Sequence, residues 1–284
     1  MTGIQQARRL PPQSFFLVSA VFHYLGPSLA VLLFTRLDVL GVAWLRIATA
    51  ALVFAGWRRP WRLVPALDTG QRRVLLALGV VLAAMNSLFY LAVDRLPLST
   101  VGAIEFLGTV LLAVIGTRTG RNAVALALTT GGVATITAIR LAGHPLGFAF
   151  AFGNCVLFMV YVVLGHRIAN TSRGDGIDQL GAAMLIAAVV ATPIGLGGAL
   201  PAFSRPLLLA AGAGVGVCSS VIPYVTDQLA MARLPRATFA LMLARLPVFA
   251  TIIGAIVLRQ LPTPQDIAGI ALVTAGVAIH KQGT

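Results

Sequence analysis

Glu105 is the residue best placed to do chemistry in this chain. It lies in Ala103-Ile104-Glu105-Phe106-Leu107-Gly108, well inside an apolar run. An ionised carboxylate in such a run is costly unless it is paired, wetted or protonated. Reversible protonation would suit a carboxyl that takes part in a transport cycle. A structural hydrogen bond to a neighbouring helix is the competing reading.

Arg46 and Arg245 also fall inside apolar runs. Neither can lose its proton, so each must face a partner, backbone carbonyls or water. Either could grip a substrate carboxylate through the two-pronged guanidinium fork, and Arg46 with Glu105 is a candidate pair. Asp227, about two turns from Arg233, is a further candidate, with a helix-end ion pair as its alternative. Asn86 and Tyr90 are four apart and share one helix face, and Asn154 and Tyr161, seven apart, do likewise. Tyr224 follows Pro223 and the pair Ser219-Ser220. These groups could line a small polar cavity; hydrogen bonding between membrane helices accounts for them equally well. His23 is a candidate proton relay.

Other chemistries find little support. The remaining acidic residues, Asp38, Asp68, Asp94, Asp175, Asp178 and Asp266, fall in loops or at helix ends. The four His are scattered, and Cys155 and Cys218 sit in apolar runs without metal spacing, so no metal, cofactor or disulfide is expected. A membrane-embedded enzyme needs a cluster of such groups. Gly212, Gly214 and Gly216 lack the acidic residue about 20 positions on that a ribose would need, and read as helix packing. The net charge of +13 is spread through short gaps between apolar runs, which suits anionic lipid head groups rather than nucleic acid.

The elements that must hold these residues are membrane helices. Of 284 residues, 58% are hydrophobic and 10% charged, against about 25% charged in a soluble domain. Apolar runs bounded by Arg, Pro and Gly give ten candidate spans: Ser14–Phe34, Val39–Trp57, Val74–Val93, Leu98–Thr117, Ala123–Ile139, Leu146–Gly165, Gln179–Leu200, Leu207–Ala230, Ala237–Leu258 and Gln265–Ile279. Pro27, Pro193, Pro223 and Pro247 lie in or near spans and can kink them. Met1 to Pro12 lacks a clear cleavage site, so the first span is expected to be retained.

With the N-terminus inside, fourteen basic residues fall in inside segments and five in outside loops. That bias places both termini in the cytoplasm. Leu91 to Thr100 also matches Leu229 to Thr238 at six of ten positions, at a constant offset of 138. The copies are five spans apart, an odd number, so they face opposite sides of the membrane. The fold expected is therefore an all-α integral membrane protein of ten transmembrane helices in two inverted five-helix repeats, residues 14–141 and 145–281, in the cell membrane. Inverted repeats are the architecture of many alternating-access transporters.

Several motifs carry a family resemblance. They are Leu25-Gly26-Pro27, Trp44-Leu45-Arg46, Arg59-Pro60-Trp61, Phe89-Tyr90-Leu91-Ala92, Arg95-Leu96-Pro97-Leu98 and Glu105-Phe106-Leu107-Gly108 in the first half. In the second half they are Ser219 to Tyr224, Leu234 to Ala240 and Leu261-Pro262-Thr263-Pro264. In their order and spacing the chain resembles the EamA family of the drug/metabolite transporter superfamily, and within it the threonine/homoserine exporter branch. The resemblance implies a central cavity and export of amino acids or related metabolites, with protons as the usual coupling ion. Three positions depart from the family pattern: Thr109 stands for a proline, and Arg245-Leu246-Pro247 and Arg259-Gln260 lack the family's glutamates. The lost carboxylates and the added membrane arginine point toward an anionic or carboxylate-bearing substrate. Efflux of drugs or a natural product is the alternative within transport.

Overall fold

A computed structural model of the chain describes residues 12–116, 119–140, 144–171, 176–231 and 246–279. These form eleven α-helices, with no strand among the described residues. They are α1 (Pro12–Leu33), α2 (Val39–Arg58), α3 (Thr69–Val93), α4 (Leu98–Gly116), α5 (Gly120–Arg140), α6 (Pro145–Thr171), α7 (Gly176–Phe203), α8 (Pro206–Gly216), α9 (Ile222–Met231), α10 (Leu246–Leu258) and α11 (Pro264–Ile279). A π-helical turn, Val217–Val221, joins α8 to α9 without a loop.

The helix ends follow local chemistry. Asp38 caps α2 by accepting from the Leu40 and Gly41 N–H groups at 2.9 and 3.3 Å. Arg59 then ends α2 in the left-handed region, φ 49°, ahead of Pro60. α3 starts at Thr69, earlier than the apolar run that begins at Val74. Asp68 and Gln71 form a reciprocal capping box there, with bonds of 2.8 and 3.0 Å. The cap, not hydrophobicity, makes this polar first turn helical. The first N–H of α4, at Leu98, donates to Gln260 Oε1 at 3.1 Å, so the helix carrying Glu105 is capped from the other end of the sequence.

Five segments are long and apolar enough to cross a membrane: Val39–Arg58, Thr69–Val93, Pro145–Gly165, Gly176–Phe203 and Pro206–Thr226. Leu17–Leu33, Leu98–Leu112, α10 and α11 are shorter apolar helices. The ninth expected span is described only from Leu246, since 232–245 lie outside the described residues. Large apolar side chains such as Leu52 of α2, Val189 and Ile194 of α7 and Ile256 of α10 point outward. A surface of this kind suits lipid rather than water.

The helices pack as close pairs. α2 lies along α7, α5 along α11, and α3 along α6; α1 packs against α9 and α10. Trp44 Nε1 donates to Thr192 Oγ1 at 2.9 Å across the α2–α7 pair, and Arg58 bonds Asp178 at 2.7 Å at its end. Small residues set the closest approach, as is usual where lipid gives no hydrophobic drive. A Cβ on Gly276 of α11 would lie 2.7 Å from the Ala125 carbonyl oxygen of α5 and closer still to Thr129 Oγ1. Gly276→Val should therefore destabilise the protein by about 1–3 kcal/mol through overpacking. Thermal unfolding of the purified protein in detergent measures this, and an unchanged midpoint would show that α5 and α11 are not so close.

Candidate functional site

The π turn between α8 and α9 has a cause in the sequence. Proline has no N–H, and its ring collides with the carbonyl four residues back. Pro223 therefore deprives the Ser219 carbonyl of its usual helical donor, and the widened turn makes room for the ring. Arg46 of α2 takes up the vacated acceptor. Its Nη2 donates to the Ser219 carbonyl at 3.1 Å, and its Nε donates to Ser220 Oγ at 2.9 Å. Its guanidinium also lies over the Tyr90 ring, 5.2 Å from the centroid. A guanidinium carries more N–H donors than these two contacts use. Gly26 of α1 lets the turn sit this close, since a Cβ there would be 2.6 Å from the Ser219 backbone.

Arg46 faces a cavity of about 50 Å³. His23 and Pro27 of α1, Asn86 of α3, Glu105 of α4, Asn154 and Tyr161 of α6 and Tyr224 of α9 share its lining, with Met85, Phe89 and Phe158 as apolar wall. Both charged residues are buried, Arg46 at 7% exposure and Glu105 at 8%. They form no direct ion pair. The Glu105 carboxyl lies beside the Asn154 amide and within the field of Arg46. Asn154 is 0% exposed, and neither atom of its amide completes a hydrogen bond with the protein. Asn86 donates to the Leu82 carbonyl at 2.7 Å within its own helix. The Tyr24 and Tyr90 hydroxyls and Ser219 Oγ are likewise buried without a partner.

The space is small. A water needs roughly 10–15 Å³ of such space, so the cavity as it stands has room for a few waters and no more. A metabolite can enter only if the helices part.

Seven of the functional candidates singled out from sequence thus come together: His23, Arg46, Asn86, Glu105, Asn154, Tyr161 and Tyr224. Tyr90 does not reach the lining; it supports Arg46 from behind. Asp227 is placed on α9 by its backbone alone, and Arg245 lies outside the described residues. Sequence reasoning missed the apolar wall. Met85 and Phe89 flank Asn86 on the same helical face, and Phe158 lies one turn from both Asn154 and Tyr161, so face-sharing was the available signal.

Comparison with known proteins gives the family. A family model described as the EamA-like transporter family matches residues 145–280. The threonine/homoserine exporters RhtA of Escherichia coli (strain K12) and of Salmonella typhimurium (strain LT2) are each 31% identical to it, over 94% of this chain and 91% of theirs. A solved crystal structure, 18% identical, shares the fold with a TM-score of 0.58, covering 94% of this chain and 97% of that one. With an EamA match in its second half and likeness to exporters along nearly all its length, the chain belongs to the EamA-like transporter family.

Proposed function

We propose that this protein exports small amino acids or closely related metabolites by alternating access around the cavity between α1, α2, α3, α4, α6 and α9. The observation that carries the reading is the pair Arg46 and Glu105. One cation and one carboxylate share a buried cavity without neutralising each other by direct contact. An amino-acid zwitterion offers each of them its complement. Arg46 would receive the substrate carboxylate on its remaining donors. Glu105 would receive the ammonium group, or a proton when the site is empty. Asn86, Asn154, Tyr161 and Tyr224 would complete the polar wall. Tyr90 would fix the guanidinium, and Asp227 and Arg245 are the second half's candidates for the same task. The relatives named as threonine/homoserine exporters support the direction and the class of cargo.

Alternating access needs two halves that rock about a fixed site. The reading of ten spans in two inverted halves, 14–141 and 145–281, has support beyond the motif repeat. His23 and Tyr161 both line the cavity and are 138 residues apart, and so are Asn86 and Tyr224. That is the offset of the repeated motif. The packing is also reciprocal. With α8, the π turn and α9 counted as one span, α3 against α6 corresponds to that span against α1, and α4 against α6 corresponds to α10 against α1. The excess of basic residues in the segments on one side supports cytoplasmic termini.

Counterflow of labelled threonine in proteoliposomes tests the proposal, and no flux for any member of an amino-acid panel would sink it. Glu105→Gln should reduce flux by about tenfold or more, as expected for loss of a charge-assisted bond of about 1.5–3 kcal/mol, and should flatten its pH dependence. Membrane insertion should be unaffected. Full flux with the original pH profile would remove Glu105 from the mechanism. Arg46→Lys keeps the charge but loses the fork and the Ser219 and Ser220 bonds together. Its flux should fall by about ten- to hundredfold, from the same range of bond energies. Retention of wild-type flux would reduce Arg46 to a point charge.

A further inference from the structure

We propose that the connection between α2 and α3 is a binding site for the phosphate-bearing head group of an anionic phospholipid. It lies at one end of the bundle, apart from the central cavity, and does not depend on what that cavity carries. Five of the chain's 21 basic residues fall between Trp57 and Arg73: Arg58, Arg59, Arg62, Arg72 and Arg73. Asp68 is the one acidic residue in that stretch, and its carboxylate is taken up by the α3 cap.

The connection has a fixed shape. Pro60–Arg62 and Val64–Ala66 form two 3₁₀ turns, and Leu67 after them is buried. The first turn rests on α7, where a Cβ on Gly181 would lie 3.3 Å from Pro60 Cβ. Arg72 ties the second turn to α3: its Nε donates to the Leu67 carbonyl at 3.0 Å and its Nη2 to the Pro65 carbonyl at 3.3 Å. Arg58 bonds Asp178 of α7. These two arginines are engaged by the protein. Arg59, Arg62 and Arg73 are exposed, and their side chains make no hydrogen bond or ion pair among the described residues.

Three free guanidiniums on a rigid turn attract phosphate, because each offers a two-pronged fork to its oxygens. Their surroundings select a lipid over free phosphate. Trp57 and Trp61 are 50% and 51% exposed, and tryptophan favours the level of membrane head groups. On α3, Leu76 and Val80 follow Arg73 at spacings of three and four, so the three share one helix face. Both apolar side chains are exposed. A guanidinium at the helix end above a strip of apolar side chains matches a lipid, head group over acyl chain. Clustered arginines next to a membrane helix favour anionic lipids over zwitterionic ones.

The two tryptophans can report on the site. The chain has three, so Trp44→Phe leaves Trp57 and Trp61 as its indole fluorophores. The full chain with this change is reconstituted in mixed phosphatidylglycerol and phosphatidylcholine vesicles, with one lipid brominated at a time. Quenching should show phosphatidylglycerol bound about tenfold more strongly at the site. Arg59→Gln, Arg62→Gln and Arg73→Gln together should reduce that preference to within about twofold. If the triple variant does not insert, R73Q alone should lower it by about two- to fivefold. Arg36→Gln with Arg205→Gln, at the opposite ends of α2 and α7, should leave it unchanged. Equal quenching by both lipids overturns the proposal, as does a preference that survives loss of the three arginines. An equal fall in the Arg36 and Arg205 variant also overturns it, since net charge and not a site would then be at work. Inorganic phosphate on both sides of the membrane, matched in ionic strength with chloride, should not relieve the quenching. Relief by phosphate would overturn the assignment to a lipid.

Discussion

Arg46 cannot shed its charge, and its burial is the constraint around which the centre of this protein is arranged. A buried guanidinium demands acceptors at fixed distances, and helices do not ordinarily offer them. Here the acceptor arises because Pro223 has no N–H to give the Ser219 carbonyl. The helix widens into a π turn, the carbonyl turns to the arginine, and Ser220 adds its hydroxyl. π turns of this kind recur at functional sites. Gly26 permits the approach from α1, and Tyr90 supplies a ring face beneath the cation. Three helices and the π turn are thus committed to placing one side chain. The contact also joins a residue of the first half to a turn of the second.

Much of this was legible in the sequence, for a physical reason. A polar residue in an apolar run has few acceptable environments, so Glu105, Arg46, Asn86 and Asn154 each announced a shared polar interior. The helical period then predicted that Asn154 and Tyr161 would face the same way, and they do. The period could not decide between lining and support. Asn86 and Tyr90 share a face, yet the first meets the cavity and the second lies behind Arg46. Neighbours on other helices made that choice, and they are invisible to a pattern read along one.

The π turn escaped notice for a different reason. Pro223 signalled a kink, but whether a proline kinks, breaks or widens a helix depends on what can take up the orphaned carbonyl. That partner was 173 positions away in the chain. The early start of α3 was missed because apolar periodicity does not register a capping box. Asp68 and Gln71 were in plain view, but a polar first turn carries no hydrophobic signal. Packing distances were equally hidden: small residues marked the close pairs without naming their partners.

The cavity's two charges have an electrical consequence. With Arg46 and Glu105 both ionised, the site is balanced, and a zwitterion leaves it balanced. The membrane potential acts on net charge, at about 2.3 kcal/mol per elementary charge per 100 mV. Binding of the zwitterion proposed as cargo would therefore give the field no new handle. A proton on Glu105 would, because it would leave the guanidinium uncompensated. In the site as proposed, a zwitterionic cargo would be electrically silent, and voltage would act through a proton on Glu105.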